Sequence, residues 1–362
     1  MNSKKIKCIF VVDNIATRYG GQAYSVPSLF LSLSSYSHLN LCLLSGYQTH
    51  SDLFDVMVTI PKGFVIRRFK YHSNYVFSLQ MLFFILKSKF DVIYLNGVFS
   101  LNNYFLLIIS YFLNKKIIWA PRGMVNKRNM DIPLKKLFLK TFTFSAFKLS
   151  TAIHCTSFSE KSFLSKNLTS SNVFIIPNGF TRIEPSITSR KTSSFLYVGR
   201  ICPHKNLLNL IKAFDELGIF SSYILNIVGN FISENYRSDF MNNEFFIKNQ
   251  SRIMLHGNIP RNNLGPFYSS ASFFVNPSFS ENFGLSILDA ISFKLPTLVP
   301  EDSPWITFKN SYPLFPTAPS SFSIAVNLKR MLTCSVPLTE QITSQYSWQK
   351  ISLSFSKILN KL

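Results

Sequence analysis

Short apolar runs alternate along the chain with longer stretches of helical period. Ile6–Val12, Leu39–Leu44, Val92–Leu95, Ile117–Trp119, Ala152–His154 and Val173–Ile176 read as strands buried on both faces. A second series follows at Phe195–Val198, Ile224–Val228, Ile253–His256, Phe273–Asn276 and Thr297–Val299. Helical stretches such as Leu207–Leu217 and Leu285–Phe293 lie between them. Alternation of this kind predicts parallel sheets wrapped by helices. It breaks once, at Thr181–Ser194, a Ser/Thr/Arg-rich stretch with Pro185 and no apolar period, which is the linker candidate. The pattern predicts two doubly wound α/β domains, 1–180 and 181–340, with 341–362 as a C-terminal helix placed to pack back on the first. Open sheets bind ligands outside the carboxyl ends of their strands, so two facing sheets would share one cleft.

Composition narrows the class. A length of 362 residues suits two domains, and 47% apolar residues suffice for two cores. Charged residues are scarce at 15%, while Phe fills 37 positions, a mixture that excludes disorder, a collagen-like fibre and a coiled coil. The five cysteines form no CxxC pair and read as free thiols of a reducing compartment.

The net charge of +21 is uneven: residues 1–150 carry 19 Lys or Arg against five Asp and no Glu, a net +14. Such a field attracts polyanions, whether nucleic acid, an anionic leaflet or a phosphorylated substrate; the plainer alternative is a solvated basic surface. No apolar run reaches the ~18–20 residues of a spanning helix. Val76–Leu86 is broken by Ser78 and Gln80, and Tyr104–Leu113 by Ser110, so both read as buried helices. The basic start Lys4–Lys7 resembles a signal peptide, but its apolar stretch stops at Asp13 and reads as a first strand, so cytoplasmic residence is expected.

Three segments offer chemistry. After the first strand, Gly20-Gly21 permits a tight turn in which backbone N–H groups approach an anion at a helix start, although a plain strand-to-helix turn explains it as well. After Val198, Gly199-Arg200 and Lys205 flank a Pro-containing loop before a helix, a planar fork and a point charge suited to gripping a diphosphate. The alternative is two surface cations. After Val275, the only charge in the loop to Gly284 is Glu281, and Asn282-Phe283-Gly284-Leu285 opens a helix that carries Asp289. One carboxylate can hold a sugar and the other a ribose. Equally, Glu281 can stabilise the helix dipole while Asp289 stands exposed.

Val198-Gly199-Arg200 with Lys205, Ile176-Pro177-Asn178-Gly179, Ile227-Val228-Gly229, Leu255-His256-Gly257-Asn258-Ile259 and Pro277-Ser278 through Glu281, Gly284, Asp289-Ala290 and Pro296 resemble glycosyltransferase family four, retaining GT-B transferases of nucleotide sugars. The resemblance implies two Rossmann-like domains, acceptor-binding first and nucleotide-sugar-binding second. It implies that Arg200 and Lys205 neutralise the donor diphosphate, that Glu281 binds hydroxyls of the transferred sugar, and that the backbone of Asn282, Phe283, Gly284 and Leu285 lies against sugar and phosphates. Asp289, where the family usually has Glu, would hold the ribose with a reach shorter by one methylene. Gly20 and Gly21 match the family's N-terminal glycine loop, and the base would meet backbone near Gly229 and Gly257. Asn96 stands where the family often has a His near the reacting sugar, and Arg122, in Pro121-Arg122-Gly123-Met124, is an acceptor-side cation. The donor would be UDP- or GDP-linked, with no metal or other cofactor required. His154 reads as a structural polar group at a strand end.

Residues 132–150 place Lys135, Lys136, Lys140 and Lys148 among Leu134, Leu137, Phe138, Leu139, Phe142, Phe144 and Phe147. A basic amphipathic helix of this kind can lie on an anionic membrane, or be an ordinary domain helix with a basic edge. With the basic first half, it points to a polyprenyl-diphosphate-linked glycan acceptor at the inner leaflet, as in O-antigen or capsule assembly. Two rival readings are a nucleic-acid-binding protein, against which no helix-turn-helix, zinc-finger or RNP pattern appears, and a non-catalytic relic that binds nucleotide sugar.

Overall fold

The structure is a computed structural model that describes residues 5–54, 56–71, 77–125, 133–165, 172–186, 191–334 and 341–362. The chain divides into two compact units, residues 1–179 with 346–362, and residues 180–345.

Unit 1 is a parallel sheet of seven strands, β1 (Ile6–Asn14), β2 (Leu39–Tyr47), β3 (Val65–Lys70), β4 (Val92–Asn96), β5 (Lys116–Ala120), β6 (Ala152–Cys155) and β7 (Val173–Ile175), in the order β3-β2-β1-β4-β5-β6-β7. Its helices are α1 (Gly21–Leu33), α2 (Leu79–Lys87), α3 (Leu101–Phe112), α4 (Pro133–Leu149) and α5 (Phe158–Ser165). Successive side chains of β1 enter opposite cores: Ile9 and Val11 pack with Met81, Ile85, Leu106 and Phe142, while Cys8, Phe10 and Val12 pack with Leu29, Phe30, Phe355 and Leu359.

Unit 2 is a six-stranded parallel sheet of β8 (Ser194–Val198), β9 (Ile224–Val228), β10 (Ile253–Leu255), β11 (Phe273–Val275), β12 (Thr297–Pro300) and β13 (Leu314–Thr317), in the order β10-β9-β8-β11-β12-β13. Around it lie α6 (Leu207–Glu216), α7 (Glu234–Met241), α8 (Glu244–Asn249), α9 (Gly265–Ser270), α10 (Leu285–Ser292), α11 (Ser321–Leu332) and the short α12 (Gln341–Ser344). The described part of 181–193 lies against this unit: Ile183 is buried, and a Cβ on Gly265 would sit 2.2 Å from the Glu184 carbonyl oxygen.

The last helix, α13 (Trp348–Leu359), belongs to unit 1. Phe355 is fully buried there, with ring centroids 5.1 Å from Tyr94, 5.4 Å from His154 and 6.3 Å from Phe10. Gly179 lies so close to Trp348 that a Cβ would fall 2.2 Å from the indole.

The eleven expected strands form. Two more, β3 and β13, are each the terminal strand of a sheet. An edge strand lacks a neighbour on one side, and β3 alternates Val-Ile-Arg-Arg-Phe-Lys with only Phe69 buried, while β13 accepts Pro316, which an interior strand would exclude. Neither has the continuous apolar run that marked the others. In α4, Phe142 and Ala146 are buried, while Leu137 and Phe144 stand 64% and 53% exposed; the side chains of Leu134, Lys135, Lys136, Phe138 and Leu139 lie outside the described residues.

Candidate active site

The strand order of unit 2 reverses between β8 and β11, with β9 and β10 on one side and β12 and β13 on the other. Ligands of open α/β sheets bind outside the carboxyl ends of the strands at such a reversal. The loops leaving it, 199–206 and 276–284, carry most of the residues expected there.

Lys205 ends a 3-10 turn, Pro203–Lys205, opened by its proline. The next residue, Asn206, adopts a left-handed conformation with φ 58°, and its Nδ2 donates to the carbonyls of Pro277 (3.1 Å) and Pro319 (2.7 Å). Phe279 N–H donates to the His204 carbonyl at 3.0 Å, so the two loops are tied together. Lys205 Nζ then donates to Glu281 Oε2 at 2.6 Å, and Asn276 Nδ2 approaches the same oxygen at 3.4 Å. The Lys205 and Glu281 side chains are only 16% and 17% exposed. Burial pushes the Glu281 carboxyl up, but the charge and hydrogen bond of Lys205, with Asn276 and His204, more than offset it and hold the group below the ordinary range. Glu281 is therefore ionised at neutral pH.

Gly284 precedes α10 with φ 75°, where a Cβ would lie 2.8 Å from Ile287 Cδ1 and 2.9 Å from Glu281 Cγ. Only glycine lets the chain turn into the helix this close to the acid. The first turn of α10 contains no acidic side chain, so the partial positive charge of its N–H groups is left for a ligand. Asn282 and Leu285 are half-buried beside that turn, while Phe283 is buried edge-on against Trp305, whose indole N–H donates to the Phe283 carbonyl.

The ends of β8, β9 and β10 bring Gly199, Gly229 and Gly257 side by side. Gly199 N–H donates to Val228 O at 2.9 Å and Gly229 N–H to Gly257 O at 2.7 Å, and a Cβ on Gly229 would meet the Gly199 carbonyl oxygen at 1.9 Å. Arg200 is exposed just beyond, its carbonyl accepting from Tyr197 Oη at 2.8 Å.

Asp289 is not an exposed helix residue. Its carboxylate, 2% exposed, receives both terminal nitrogens of Arg261 at 2.5 Å, and Arg261 Nη2 also donates to Thr181 O at 3.0 Å. Burial raises the Asp289 carboxyl and the Arg261 charge opposes the rise. Both oxygens thus face Arg261, each with a second lone pair left to accept another bond. Arg261 itself was missed: it sits in Ile259-Pro260-Arg261-Asn262-Asn263, a loop with no charge pattern to single it out.

In unit 1 the order reverses between β1 and β4. After β1, a 3-10 turn closes on Gly20 at φ 72°, and α1 starts at the exposed Gly21 with no acid in its first turn. Asp13 lies beside Gly97, whose Cβ would be 3.4 Å from Asp13 Oδ2. Burial lifts the Asp13 carboxyl to about 7 against a hydrogen bond from Ser100. Asn96, expected near the reacting sugar, is fully buried: its Nδ2 donates to Val11 O at 2.9 Å and its Oδ1 accepts from Arg122 Nε at 2.9 Å. Its side chain thus meets Arg122, which also donates to Asn178 Oδ1 at 2.8 Å and Tyr94 Oη at 2.6 Å. Tyr94 and His154 Nδ1 are 2.6 Å apart, and His154 Nε2 lies 2.8 Å from Ile176 O. Burial and then the Arg122 charge hold His154 at about 3, so the imidazole is neutral and structural. Asn178 and Tyr94 had been given no role, though Asn178 stands in one of the motifs already singled out.

Residues 180–304 match the family model "Glycosyl transferases group 1". No curated protein sequence matches the chain. Among solved structures it is similar to sucrose-phosphate synthase from Thermosynechococcus elongatus, at 15% identity over 99% of both chains with a TM-score of 0.78. It is also similar to HepE from Anabaena, solved with UDP and glucose, at 13% identity over 99% of this chain and 100% of that one with a TM-score of 0.74. WaaG, a glycosyltransferase involved in lipopolysaccharide biosynthesis, is similar at 14% identity over 97% of this chain and 95% of that one, with a TM-score of 0.66. The two parallel sheets have the GT-B fold of these structures. The family match is confined to residues 180–304, which lie in unit 2.

Proposed function

We propose that the protein transfers a sugar, with retention of anomeric configuration, from a nucleoside-diphosphate sugar to a lipid-diphosphate-linked glycan during surface-polysaccharide assembly of the O-antigen or capsule type. The observation that carries this reading is the Lys205–Glu281 pair beside the open N-terminus of α10, at the strand reversal of unit 2. A cation, a carboxylate and a row of backbone N–H groups converge there, as a sugar diphosphate requires. HepE has been solved with UDP-glucose, which favours UDP over GDP as the donor base.

In the reaction proposed, the bond between the anomeric carbon and the diphosphate breaks and the acceptor hydroxyl oxygen bonds to that carbon. The proton of the acceptor passes to the departing phosphate. Charge builds on the leaving diphosphate, where Arg200, Lys205, the glycine-lined backbone at 199 and 229, and the N–H groups of 282–285 would stabilise it. Glu281, ionised and fixed by Lys205, would accept hydroxyl hydrogen bonds of the sugar. Gly20 and Gly21 keep the anion-binding role read from their turn, and the +14 half of the chain supports an anionic acceptor.

Peripheral attachment to the cytoplasmic face of the inner membrane belongs to the same proposal, supported by exposed Leu137 and Phe144 on α4 beside Lys140 and Lys148. Among the described residues, no helix is long and apolar enough to cross a membrane.

The test is a thermal-shift series with UDP, GDP and ADP and their sugar conjugates, since ligand at about 100 times Kd adds about 2.7 kcal/mol of stability. One nucleotide should raise Tm in the wild type and lose that effect in Lys205→Ala. No shift with any nucleoside diphosphate would refute the reading.

A further inference from the structure

The structure assigns a second phosphate-gripping site, in unit 1, to Arg122: we infer that its guanidinium, held by Asn96, Asn178 and Tyr94, takes the diphosphate of the lipid-linked acceptor. This inference rests on the transferase reading above and names the ligand of its acceptor side.

Arg122 leaves the carboxyl end of β5 beside the end of β4, the edge of the sheet where ligands of such folds bind. Its backbone is left-handed at φ 56°, followed by Gly123 at φ 74°. A side chain other than glycine pays conformational strain there, and such residues persist where the surroundings impose them, commonly at binding sites. Here Gly123 N–H and Thr156 N–H both donate to the buried carboxylate of Glu160, which fixes the turn.

The three groups that hold the guanidinium are all neutral. Asn96 Oδ1 takes Nε, Asn178 Oδ1 takes Nη1 and Tyr94 Oη takes Nη2, with the guanidinium carbon 5.7 Å from the Tyr94 ring centroid. Among the described residues, no carboxylate lies within ion-pair distance of Arg122. Glu160 acts on it only across a longer gap and is occupied by backbone N–H groups. Three of five N–H donors are thus used to aim the fork, and two remain with an unneutralised charge.

The holders are held in turn. His154 is neutral, so with Nε2–H donating to Ile176 O its Nδ1 accepts from the Tyr94 hydroxyl, leaving that oxygen to accept from Arg122. Asn96 is anchored on the Val11 carbonyl, and its own carbonyl accepts from Asn103 Nδ2 at 2.7 Å. A planar cation, half-buried and rigidly aimed, with only neutral partners, is built for a bidentate anion. The net charge of +14 in residues 1–150 favours a multiply charged one.

Farnesyl diphosphate is the probe, titrated by calorimetry into the full chain with UDP held at saturation, with farnesol as the control that lacks phosphate. Arg122→Met should weaken farnesyl diphosphate binding roughly 10–100-fold, as expected for lost hydrogen bonds to a charged group, with farnesol binding and UDP affinity unchanged. Arg122→Lys should recover only part of the loss, because it keeps the charge and loses the fork. Circular dichroism and Tm confirm that both variants fold, and Asn178→Ala, which removes one neutral holder, should weaken the same ligand by a smaller factor. Unchanged farnesyl diphosphate binding in Arg122→Met, or an equal loss for farnesol, overturns the inference. So does a loss confined to UDP, which would make the phosphate that of the nucleotide. Absence of UDP binding in the wild type would instead strike the transferase reading itself.

Discussion

Lys205 Nζ lies 2.6 Å from Glu281 Oε2, joining two loops that are 76 positions apart in the chain. The pair is partly buried, and Asn206 and Phe279 reinforce it through backbone contacts on either side. Lys205 therefore sets the charge state of Glu281: without it, burial is opposed only by the weaker effects of Asn276 and His204, and the carboxyl moves upward.

Two consequences follow for Lys205→Met. Turnover should fall about 10²–10³-fold, the usual effect of removing one stabilising group from a developing negative charge. The stability profile should also move. In the wild type, Glu281 ionises below its unfolded value, so it contributes stability above the unfolded pKa that is lost as pH falls through the lower folded value. In the variant the folded value rises, and the loss of stability in acid should shrink. Melts between pH 3 and 7 check this; superimposable profiles would refute the coupling.

Arg261→Met isolates the second ion pair. Removing the guanidinium leaves the Asp289 carboxylate buried without a counter-charge, which should cost about 3–5 kcal/mol. The double variant with Asp289→Asn should recover a large part of that cost, because an amide needs no counter-charge. Denaturant unfolding of the four proteins in a cycle measures the coupling. If the double variant is no more stable than Arg261→Met, the short contacts of this pair carry little energy.

What the chain pattern revealed and what it hid separate along physical lines. Interior strands such as Val92–Asn96 were visible because burial on both faces demands an unbroken apolar run, and the edge strands β3 and β13 were hidden because it does not. Glu281 stood out as the only charge in its loop, while its partner followed from a motif and not from any local signal. Asp289 was legible as a carboxylate on a helix, yet nothing along the sequence brings Arg261 to it. The same holds for Asn96: its position at a strand end was plain, but its burial depends on Arg122, Val11 and Asn103, which lie on three other segments. Side-chain partners set by long-range contacts leave no periodicity to read.

Asp13 should make unit 1 sensitive to mildly alkaline pH. Its carboxyl titrates at about 7, raised first by burial, and among the described residues its Oδ1 has no hydrogen-bond partner. A raised folded value means that the native state holds a proton the unfolded chain has already released. Stability from this group is complete below the unfolded value near 4 and is lost as pH rises through 7. Asp13→Asn should abolish that decline, so its Tm should exceed that of the wild type at pH 8 and differ little at pH 4. Equal Tm values at pH 8 would show that the carboxyl is not buried in solution.

Two glycines of the proposed anion sites should respond to alanine in opposite ways. A Cβ on Gly229 would sit 1.9 Å from the Gly199 carbonyl oxygen, on a backbone with φ 145° that L side chains rarely adopt. The ends of β8 and β9 must then part, so Gly229→Ala should lower both Tm and UDP affinity. A Cβ on Gly21 meets nothing within 4 Å, and the residue is already the first of α1. Alanine there should raise stability, by up to about 0.5–1 kcal/mol from helix propensity. If the N–H groups of this turn seat an anion, the added methyl group stands between them and the ligand, so sugar transfer should fall while Tm does not. Thermal melts paired with a transfer assay separate the two effects: a Gly21→Ala protein with wild-type turnover would remove this turn from the site, leaving it a plain strand-to-helix connection.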